Sequence, residues 1–270
     1  MPADCPDPWN LTLLQSQLLP LDPQAHVEHL SQTDSTNTEL MRRARAGDTR
    51  TCLLLADQQT AGRGRLGRQW HSSPGDALTF SLGLTLAPQN WSGLSLAVGC
   101  CLADSLDPSH TLGIGLKWPN DLMLAPWHTP RKLGGILIET LLRQGDDSLQ
   151  RFAVIGIGLN LATPPAGQYR TEPAGLRAVL PVHTTAEAVL QLVLPGLLAG
   201  LSRFCTQGFG AFAAEFASRD VLSGHELQLS NGLHGMADGV DDEGVLWLNT
   251  GSGRVAVTSD EVSVRRAGLA

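Results

Sequence analysis

The sequence predicts an α+β protein with a large mixed domain and a small β domain at its C-terminal end. Four apolar runs separated by short connections indicate an antiparallel meander, at 113–117, 122–125, 133–142 and 152–159. The leucine-, alanine- and cysteine-containing segment Leu94–Leu106 has the periodicity of a helix. Helices that accompany a mainly antiparallel sheet define the α+β class.

The part of the chain before the meander is expected to contain both helix and strand. Residues 1–30 include short leucine-rich patches and are expected to form one short helix or strand. Thr36 and Glu39 have the spacing of a capping box and Gly47 is a stop signal, so we predict a helix between them. Two strands are expected to follow, at 52–56 and Ala77–Leu86.

Helices are predicted after the meander. Residues 161–180 are rich in Pro and Gly and indicate a loop. An apolar helix interrupted at Pro195 is predicted over 185–207. A shorter helix is predicted over 209–219, with Phe212 and Phe216 facing inward.

The C-terminal segment has β character. Short apolar runs alternate with turn signals over 221–264, which is typical of a small β-barrel or meander. The turn signals are Asn231-Gly232, Asp238-Gly239, 242–244 and 251–253. We place the domain boundary near Asp220, which gives domains at 1–220 and 221–270.

Composition limits the classes of function. The formal net charge of −7 and the pI near 5.5 disfavour general binding to nucleic acid. The apolar stretch at 190–201 is broken by Pro195 and two glycines and is expected to fall short of a membrane span. No signal peptide is visible, the five cysteines lack Cys-x-x-Cys spacing, and the histidines lack metal-ligand spacing. We expect a cytoplasmic protein with reduced thiols, no metal site, and neither a nucleic-acid nor a membrane partner.

Residues 61–70 read Ala-Gly-Arg-Gly-Arg-Leu-Gly-Arg-Gln-Trp and are a candidate ligand-binding loop. Glycine lets a backbone approach a ligand closely, arginine offers a fork of donors to carboxylate or phosphate, and Trp70 can cover a flat ring. The alternative is a non-specific nucleic-acid patch, but such patches normally need repetition. The run is neither a Walker A loop nor a dinucleotide fingerprint. We interpret it as a loop that closes over a nucleotide-linked anion.

Lysine is rare in this chain. Of its 19 basic residues, only Lys117 and Lys132 are lysines. An ammonium group is a compact charge, whereas a guanidinium is planar and bulkier, so these two positions are candidates for a catalytic cation. Chance retention of two lysines is the alternative.

Three further motifs lie on the predicted meander. Lys117-Trp118-Pro119-Asn120-Asp121 spans a strand end and a turn, where ligands are commonly bound. Residues 131–139 read Arg-Lys-Leu-Gly-Gly-Ile-Leu-Ile-Glu and place Lys132 before a strand whose glycines leave space for a ligand. Gly156-Ile157-Gly158-Leu159-Asn160 ends the fourth strand with one polar residue. Taken singly, the motifs also fit an ordinary turn and close strand packing.

Asp34-Ser35-Thr36-Asn37 precedes these motifs, and the whole ordered set resembles that of the biotin–protein ligases over residues 34–160. The resemblance implies a catalytic domain similar to class II aminoacyl-tRNA synthetases, followed by an SH3-like barrel. Residues 1–30 are too few for the helix-turn-helix domain of repressor-type members, so a monofunctional ligase is expected.

The resemblance also implies the roles of individual residues. The expected biotin contacts are Ser35, Thr36, Asn37, Gln59, Arg63 and Lys132, of which the first four address the ureido ring. The expected ATP or adenylate contacts are Arg65, Arg68, Trp70, Lys117, Asn120, Asp121 and Asn160, with Arg63 also near the anionic centre and Trp70 at the adenine. Arg65, Lys117 and Lys132 are the expected catalytic residues.

The implied reaction forms biotinyl-5′-AMP from biotin and ATP and then biotinylates a lysine of a biotin carboxyl carrier domain. Mg²⁺ is expected to be bound mainly through the ATP phosphates, and a homodimer is compatible with the resemblance. One alternative is a lipoate or octanoate ligase of the same fold, which generally lacks the arginine-rich loop. The other is a non-catalytic biotin-binding regulator.

Overall fold

A computed structural model describes residues 9–142, 150–167, 169–257 and 264–266. The chain divides into two compact units. The first comprises Met1–Leu86, Leu137–Thr163 and Leu176–Pro195, and the second comprises Ala87–Ile136, Pro164–Gly175 and Gly196–Ala270. The predicted boundary near Asp220 is a different division of the chain and stays a prediction. Cys5 lies outside the described residues.

The described residues form five α-helices and fourteen strands. The helices are α1 (Leu11–Leu18), α2 (Thr36–Arg45), α3 (Leu94–Leu106), α4 (Ala186–Gln207) and α5 (Ala213–Arg219). The strands are β1 (His26–Thr33), β2 (Cys52–Gln59), β3 (Gly62–Arg63), β4 (Gln69–Trp70), β5 (Ala77–Leu86), β6 (Ile114–Lys117), β7 (Asp121–Leu124), β8 (Arg131–Leu141), β9 (Arg151–Asn160), β10 (Glu226–Leu229), β11 (His234–Val240), β12 (Leu246–Thr250), β13 (Gly253–Val257) and β14 (Val264–Arg266).

The first unit is built on a mainly antiparallel sheet in the order β1-β2-β5-β9-β8, to which β8 contributes its second half. Strands β1 and β2 are parallel because α2 connects them as a crossover, whereas β2–β5 and β5–β9 are antiparallel. The apolar face of α2 packs on this sheet through Leu40, Met41 and Ala44, which cluster with Leu54 and Phe152. The α+β class and the strands predicted here are confirmed.

The beginning of α2 differs from the prediction. Ser35, not Thr36, is the N-cap: its backbone is extended and its Oγ accepts a hydrogen bond from the Thr38 N–H. Glu39 does not close a capping box, because its carboxylate pairs with Arg42 and Arg43 instead. The N-cap is therefore one residue earlier than predicted. The Thr36 side chain is left available for other contacts.

The second unit contains the meander β8-β7-β6, with antiparallel pairing of β6 to β7 and of β7 to β8. Helix α3 has the predicted limits and packs closely here, since a Cβ at Gly99 would lie 3.2 Å from the Leu116 side chain. Phe212 and Phe216 are buried as predicted, on a 3-10 turn and on α5.

The predicted interruption at Pro195 is wrong, because α4 runs through this proline for 22 residues. A proline inside a helix loses one backbone hydrogen bond, at a cost of about 3 kcal/mol. Complete burial of Val193, Leu194 and Leu197 around it offsets this cost. By length and composition alone, the helix could cross a membrane. However, half of its most apolar 18-residue stretch is buried, as in a core helix.

A five-stranded sheet in the order β13-β12-β11-β10-β14 forms the C-terminal end of the second unit. The pairings recorded between its neighbouring strands are antiparallel, which agrees with the predicted β character. Asp238-Gly239 is not the predicted turn: it lies within β11, where the register with β12 shifts. Gly239 has a φ of 80°, a conformation that makes glycine favourable at a bulge as well as at a turn.

Arg219 is a buried cation that joins α5 to the meander within the second unit. Its guanidinium donates to Asp104 Oδ1 and to the carbonyls of Ile114 and Asp107. Burial raises the pKa of Asp107, but hydrogen bonds from backbone N–H groups and the nearby Arg219 charge outweigh this effect and lower it.

We expect Arg219→Met to lower the free energy of unfolding by about 3 kcal/mol, because it leaves buried acceptors unpaired. Urea denaturation measures the change. The exposed Arg50, which pairs with Asp48, is the matched control, and Arg50→Met should leave the urea midpoint close to that of wild type. Equal losses for the two variants would contradict a structural role for Arg219.

Candidate functional site

Four predicted site residues meet at the N-terminus of α2 in the first unit, and we call Ser35, Thr36, Asn37 and Gln59 the α2 cluster. The first three are at most 3% exposed because β1 delivers the chain directly into the N-cap of α2. Gln59 ends β2, and its Oε1 accepts a hydrogen bond from the Thr36 N–H at 2.8 Å and lies 3.2 Å from Thr36 Oγ1. The structure brings these residues together, and their predicted contact with biotin stays a prediction.

Both polar atoms of the Asn37 amide have hydrogen-bond partners within the protein. Its Nδ2 donates to the Leu137 carbonyl and to Glu139 Oε2, and its Oδ1 accepts from Ser81 Oγ at 2.7 Å. A Cβ at Gly156 would lie 2.0 Å from Asn37 Oδ1, so the first glycine of Gly-Ile-Gly-Leu-Asn provides the space for this amide.

Residues 62–70 form a short β-hairpin rather than an irregular loop, and we call it the arginine hairpin. Gly62 pairs with Trp70 and Arg63 with Gln69, and a 3-10 turn over Arg65–Gly67 connects them. Gly62 is needed at its position, because a Cβ there would lie 2.4 Å from the Trp70 carbonyl oxygen. This tight pairing fixes the end of the hairpin that adjoins β2.

The three arginines of the hairpin differ in their surroundings. The Arg63 guanidinium pairs with Glu139, which also accepts from Asn37, so Arg63 is linked to the α2 cluster. Arg65 is half-buried in the 3-10 turn and Arg68 is exposed. Between them, Leu66 is 52% exposed and has a φ of 55°, a left-handed conformation unfavourable for leucine.

Trp70 packs against the backbone of β9. A Cβ at Gly158 would lie 2.5 Å from Trp70 Cε2, so the second glycine of the Gly-Ile-Gly-Leu-Asn motif accommodates the indole. Trp70 Nε1 is buried and has no hydrogen-bond partner among the described residues. The predicted contact of Trp70 with adenine stays a prediction. Asn160 is buried at the end of the same strand.

The second unit contains the other predicted cation site. Lys132 Nζ lies 2.5 Å from Asp121 Oδ1, and both side chains are mostly buried. The Lys132 backbone donates to the Glu172 carbonyl and accepts from the Ala174 N–H, which fixes the position from which its side chain extends. A Cβ at Gly135 would lie 3.4 Å from Lys132 Nζ, so this glycine lies directly beside the ammonium.

The other residues of Lys117-Trp118-Pro119-Asn120-Asp121 shape the turn between β6 and β7. Asn120 Nδ2 donates to the Ile136 carbonyl, and the Ile136 N–H donates back to the Asn120 carbonyl. Trp118 is buried and its Nε1 donates to the Gly244 carbonyl. Asn120 thus has a structural role in addition to its predicted contact with the nucleotide. Lys117 is half-buried at the end of β6.

Comparisons with known proteins give the family of this chain. The biotin/lipoate A/B protein ligase family model matches residues 29–160. A biotin–[acetyl-CoA-carboxylase] ligase of Mycobacterium tuberculosis is 31% identical over 87% of this chain and 88% of that protein. The chain belongs to the biotin–protein ligase family.

Two further members of the biotin–protein ligase family support the assignment. The biotin–[acetyl-CoA-carboxylase] ligase of Paracoccus denitrificans is 32% identical over 86% of this chain and 98% of that protein. The structure of a biotin protein ligase from Aquifex aeolicus in complex with biotin and ATP matches with a TM-score of 0.72 and 27% identity, over 89% of this chain and 99% of that one.

Three residues that contact the predicted site of this ligase family member had no role in the sequence analysis. Ser81 and Glu139 contact Asn37, and Ser72 Oγ accepts from the Gln59 N–H. Ser81 could have been noticed as one of three hydroxyl residues in the otherwise apolar strand β5, and Glu139 as the acidic end of a glycine-containing strand. Neither signal names its partner, because the contacts join residues about 44 and 102 positions apart.

One potential metal-binding group was not visible in the sequence. Ligand atoms of His26, Glu28 and Cys52 lie within 4.8 Å of one another. However, Arg43 already pairs with Glu28, and burial raises the pKa of Cys52 to about 12, which opposes the thiolate form that a metal requires. We therefore assign no metal here.

An open depression of about 610 Å³, lined by Asp22, Gln24 and 47–50, includes none of the predicted site residues.

Proposed function

We propose that this protein is an ATP-dependent biotin–protein ligase that acts in two steps. It first forms biotinyl-5′-AMP and pyrophosphate from biotin and ATP. It then transfers the biotinyl group to a specific lysine of a biotin carboxyl carrier domain. The single observation that best supports this proposal is the α2 cluster, whose buried polar groups lie beside the arginine hairpin and are linked to it through Glu139.

A cyclic urea offers one carbonyl acceptor and two N–H donors, and the α2 cluster complements both. Ser35 Oγ accepts from the Thr38 N–H, so its own hydrogen is available to a urea oxygen. Gln59 Oε1 is occupied by Thr36, which leaves the Gln59 Nε2 hydrogens for an acceptor on the ligand. Both of these groups are donors suited to the urea oxygen, and the hydroxyl oxygens of the cluster are the candidate acceptors for the urea N–H groups.

Neither step needs a nucleophile from the protein. In the first, a biotin carboxylate oxygen attacks the α-phosphorus of ATP and the bond to pyrophosphate breaks. In the second, an acceptor amine attacks the carbonyl carbon, AMP leaves, and the amine loses a proton. The protein supplies positioning and charge: we assign Arg63, Arg65, Arg68, Lys117 and Lys132 to the carboxylate and phosphates, and Trp70, Asn120, Asp121 and Asn160 to the nucleotide.

Mg²⁺ enters this scheme as part of the ATP substrate. Asp121 is the acidic residue of the motif Lys117-Trp118-Pro119-Asn120-Asp121, and its Oδ1 lies 2.5 Å from the Lys132 ammonium. Because Mg²⁺ in such sites is commonly held by substrate phosphates with one or two carboxylates, we assign most of its binding to ATP.

The finer features of the fold and setting are also part of the proposal. We propose that the catalytic domain, 1–220, is similar to class II aminoacyl-tRNA synthetases and that 221–270 form an SH3-like barrel. The antiparallel C-terminal sheet supports the second assignment. The four described cysteines form no disulfide, which supports a cytoplasmic location. A homodimer remains compatible with this function.

Pyrophosphate release tests the proposal against its nearest rival. With ATP and biotin we expect release above background, and with ATP and lipoate or octanoate we expect none. Release with lipoate or octanoate but not with biotin would show that biotin is not the substrate. Tight biotin binding without pyrophosphate release would indicate a non-catalytic regulator.

We expect Arg65→Gly to retain the mixed anhydride less well. Arg65 is half-buried in the hairpin turn, and its proposed role is to hold the adenylate until the acceptor lysine arrives. Biotin blotting should then show labelling of a bystander such as albumin. Arg50→Gly, which removes an exposed arginine paired with Asp48, is the matched control and should leave the bystander unlabelled. An unlabelled bystander with normal carrier labelling by Arg65→Gly would refute this role.

A further inference from the structure

Ser81 lies at the centre of a hydrogen-bond chain beneath the α2 cluster. It is fully buried in β5, and its Oγ lies 2.7 Å from both Thr36 Oγ1 and Asn37 Oδ1. Thr36 Oγ1 in turn lies 3.2 Å from Gln59 Oε1. These three contacts share two hydroxyl hydrogens, one on Ser81 and one on Thr36, so at most two of them are true hydrogen bonds.

The orientation of the Asn37 amide decides where the Ser81 hydrogen goes. The nitrogen of this amide lies near two acceptors, the Leu137 carbonyl and the Glu139 carboxylate. Rotation of the amide by 180° would place an oxygen against both of them, so Oδ1 must face Ser81. Since Oδ1 can only accept, the Ser81 hydroxyl donates to Asn37.

The Thr36 hydrogen follows from this assignment. With the Ser81 hydrogen used on Asn37, the 2.7 Å contact between the two hydroxyls needs the hydrogen of Thr36. The longer contact between Thr36 and Gln59 is then left without one. Thr36 Oγ1 is thereby fixed as an acceptor toward any further partner.

We infer that Ser81 is a positioning residue that makes Thr36 an acceptor for a ureido N–H and holds Asn37 as a support rather than a ligand contact. This inference rests on the proposed function and deepens it. Without Ser81, the Thr36 hydrogen is released and can oppose the N–H of the ligand, and Asn37 Oδ1 loses its donor. Selection of a cyclic urea thus depends on Ser81, which does not contact the ligand itself but orients Thr36, which does.

The test compares Ser81→Ala with wild type in adenylate formation. We expect the KM for biotin to rise about tenfold, the effect of one misdirected buried hydrogen bond, while the KM for ATP changes less than twofold. A merely structural role would not alter ligand selectivity, so the two biotins methylated on either ureido nitrogen are also measured. For at least one of them, the preference for biotin should fall at least threefold in Ser81→Ala.

Two further variants keep the inference falsifiable. Ser105→Ala removes a hydroxyl that donates to the Cys101 carbonyl over the same 2.7 Å, and both its KM values should match wild type. Ser81→Cys keeps a weak donor, should lie between wild type and Ser81→Ala, and decides the matter if Ser81→Ala does not fold. Unchanged selectivity for both methylated biotins in a folded Ser81 variant would overturn the inference while wild type remains a ligase. A wild type inactive with biotin would instead overturn the proposed function and this inference with it.

Discussion

Lys132→Arg should lower the rate of adenylate formation at least about a hundredfold, or about 2.7 kcal/mol in the activation free energy. The substitution keeps the charge but replaces a compact ammonium with a planar guanidinium. The site is sized for the smaller group, because Nζ lies 2.5 Å from Asp121 Oδ1 and close to Gly135. Pyrophosphate release under saturating biotin and ATP measures the effect.

A matched substitution elsewhere in the protein tests whether exchanging the two cations is harmful in itself. Arg254 pairs with Asp238 at 2.7 Å in the C-terminal sheet, so Arg254→Lys exchanges the same two cations opposite the same acid. We expect this control to retain wild-type turnover. If Lys132→Arg turns over within threefold of wild type, the assignment of Lys132 as a catalytic residue is wrong, even in an active ligase.

Gly156→Ala should raise the KM for biotin about 30-fold, or about 2 kcal/mol. The new methyl group would lie 2.0 Å from Asn37 Oδ1, so the amide and the first turn of α2 must move. Thr36 belongs to that turn, and its contacts with Ser81 and Gln59 would be lost together. Steady-state kinetics with varied biotin measure the change.

A double-mutant cycle tests whether Asn37 is the cause. Asn37→Ala removes the atom that the new methyl group meets, so adding Gly156→Ala to it should have little further effect. Gly251→Ala is the matched control, because a Cβ there meets no atom within 4 Å. Additive losses in the cycle would contradict the proposed clash.

The elements were largely predictable because their patterns are local. Leu94–Leu106 and Ala77–Leu86 have the predicted limits, since long apolar runs determine a helix or strand by periodicity and length. Pro195 and Asp238-Gly239 were misread because tertiary packing and sheet register decide whether such signals end an element. Neither factor is present in a short window of sequence.

The site was predictable as a set of motifs but not as a set of contacts. The family resemblance assigned Ser35, Thr36 and Gln59 to one ligand, and the structure places Gln59 against Thr36. The supporting contacts of Ser81 and Glu139 depend on which strands become neighbours in the sheet. Likewise, the pairing of Arg63 with Glu139 arises from strands β3 and β8, which are far apart in the chain.

Transfer of biotin to a carrier domain is the most direct test of the central claim. A purified biotin carboxyl carrier domain is incubated with the protein, biotin and ATP, and intact-mass spectrometry follows its modification. We expect one biotinyl group on one lysine, and none without ATP or when that lysine is changed to arginine. An unmodified carrier domain, or one that gains a lipoyl group in preference to biotin, would contradict the account.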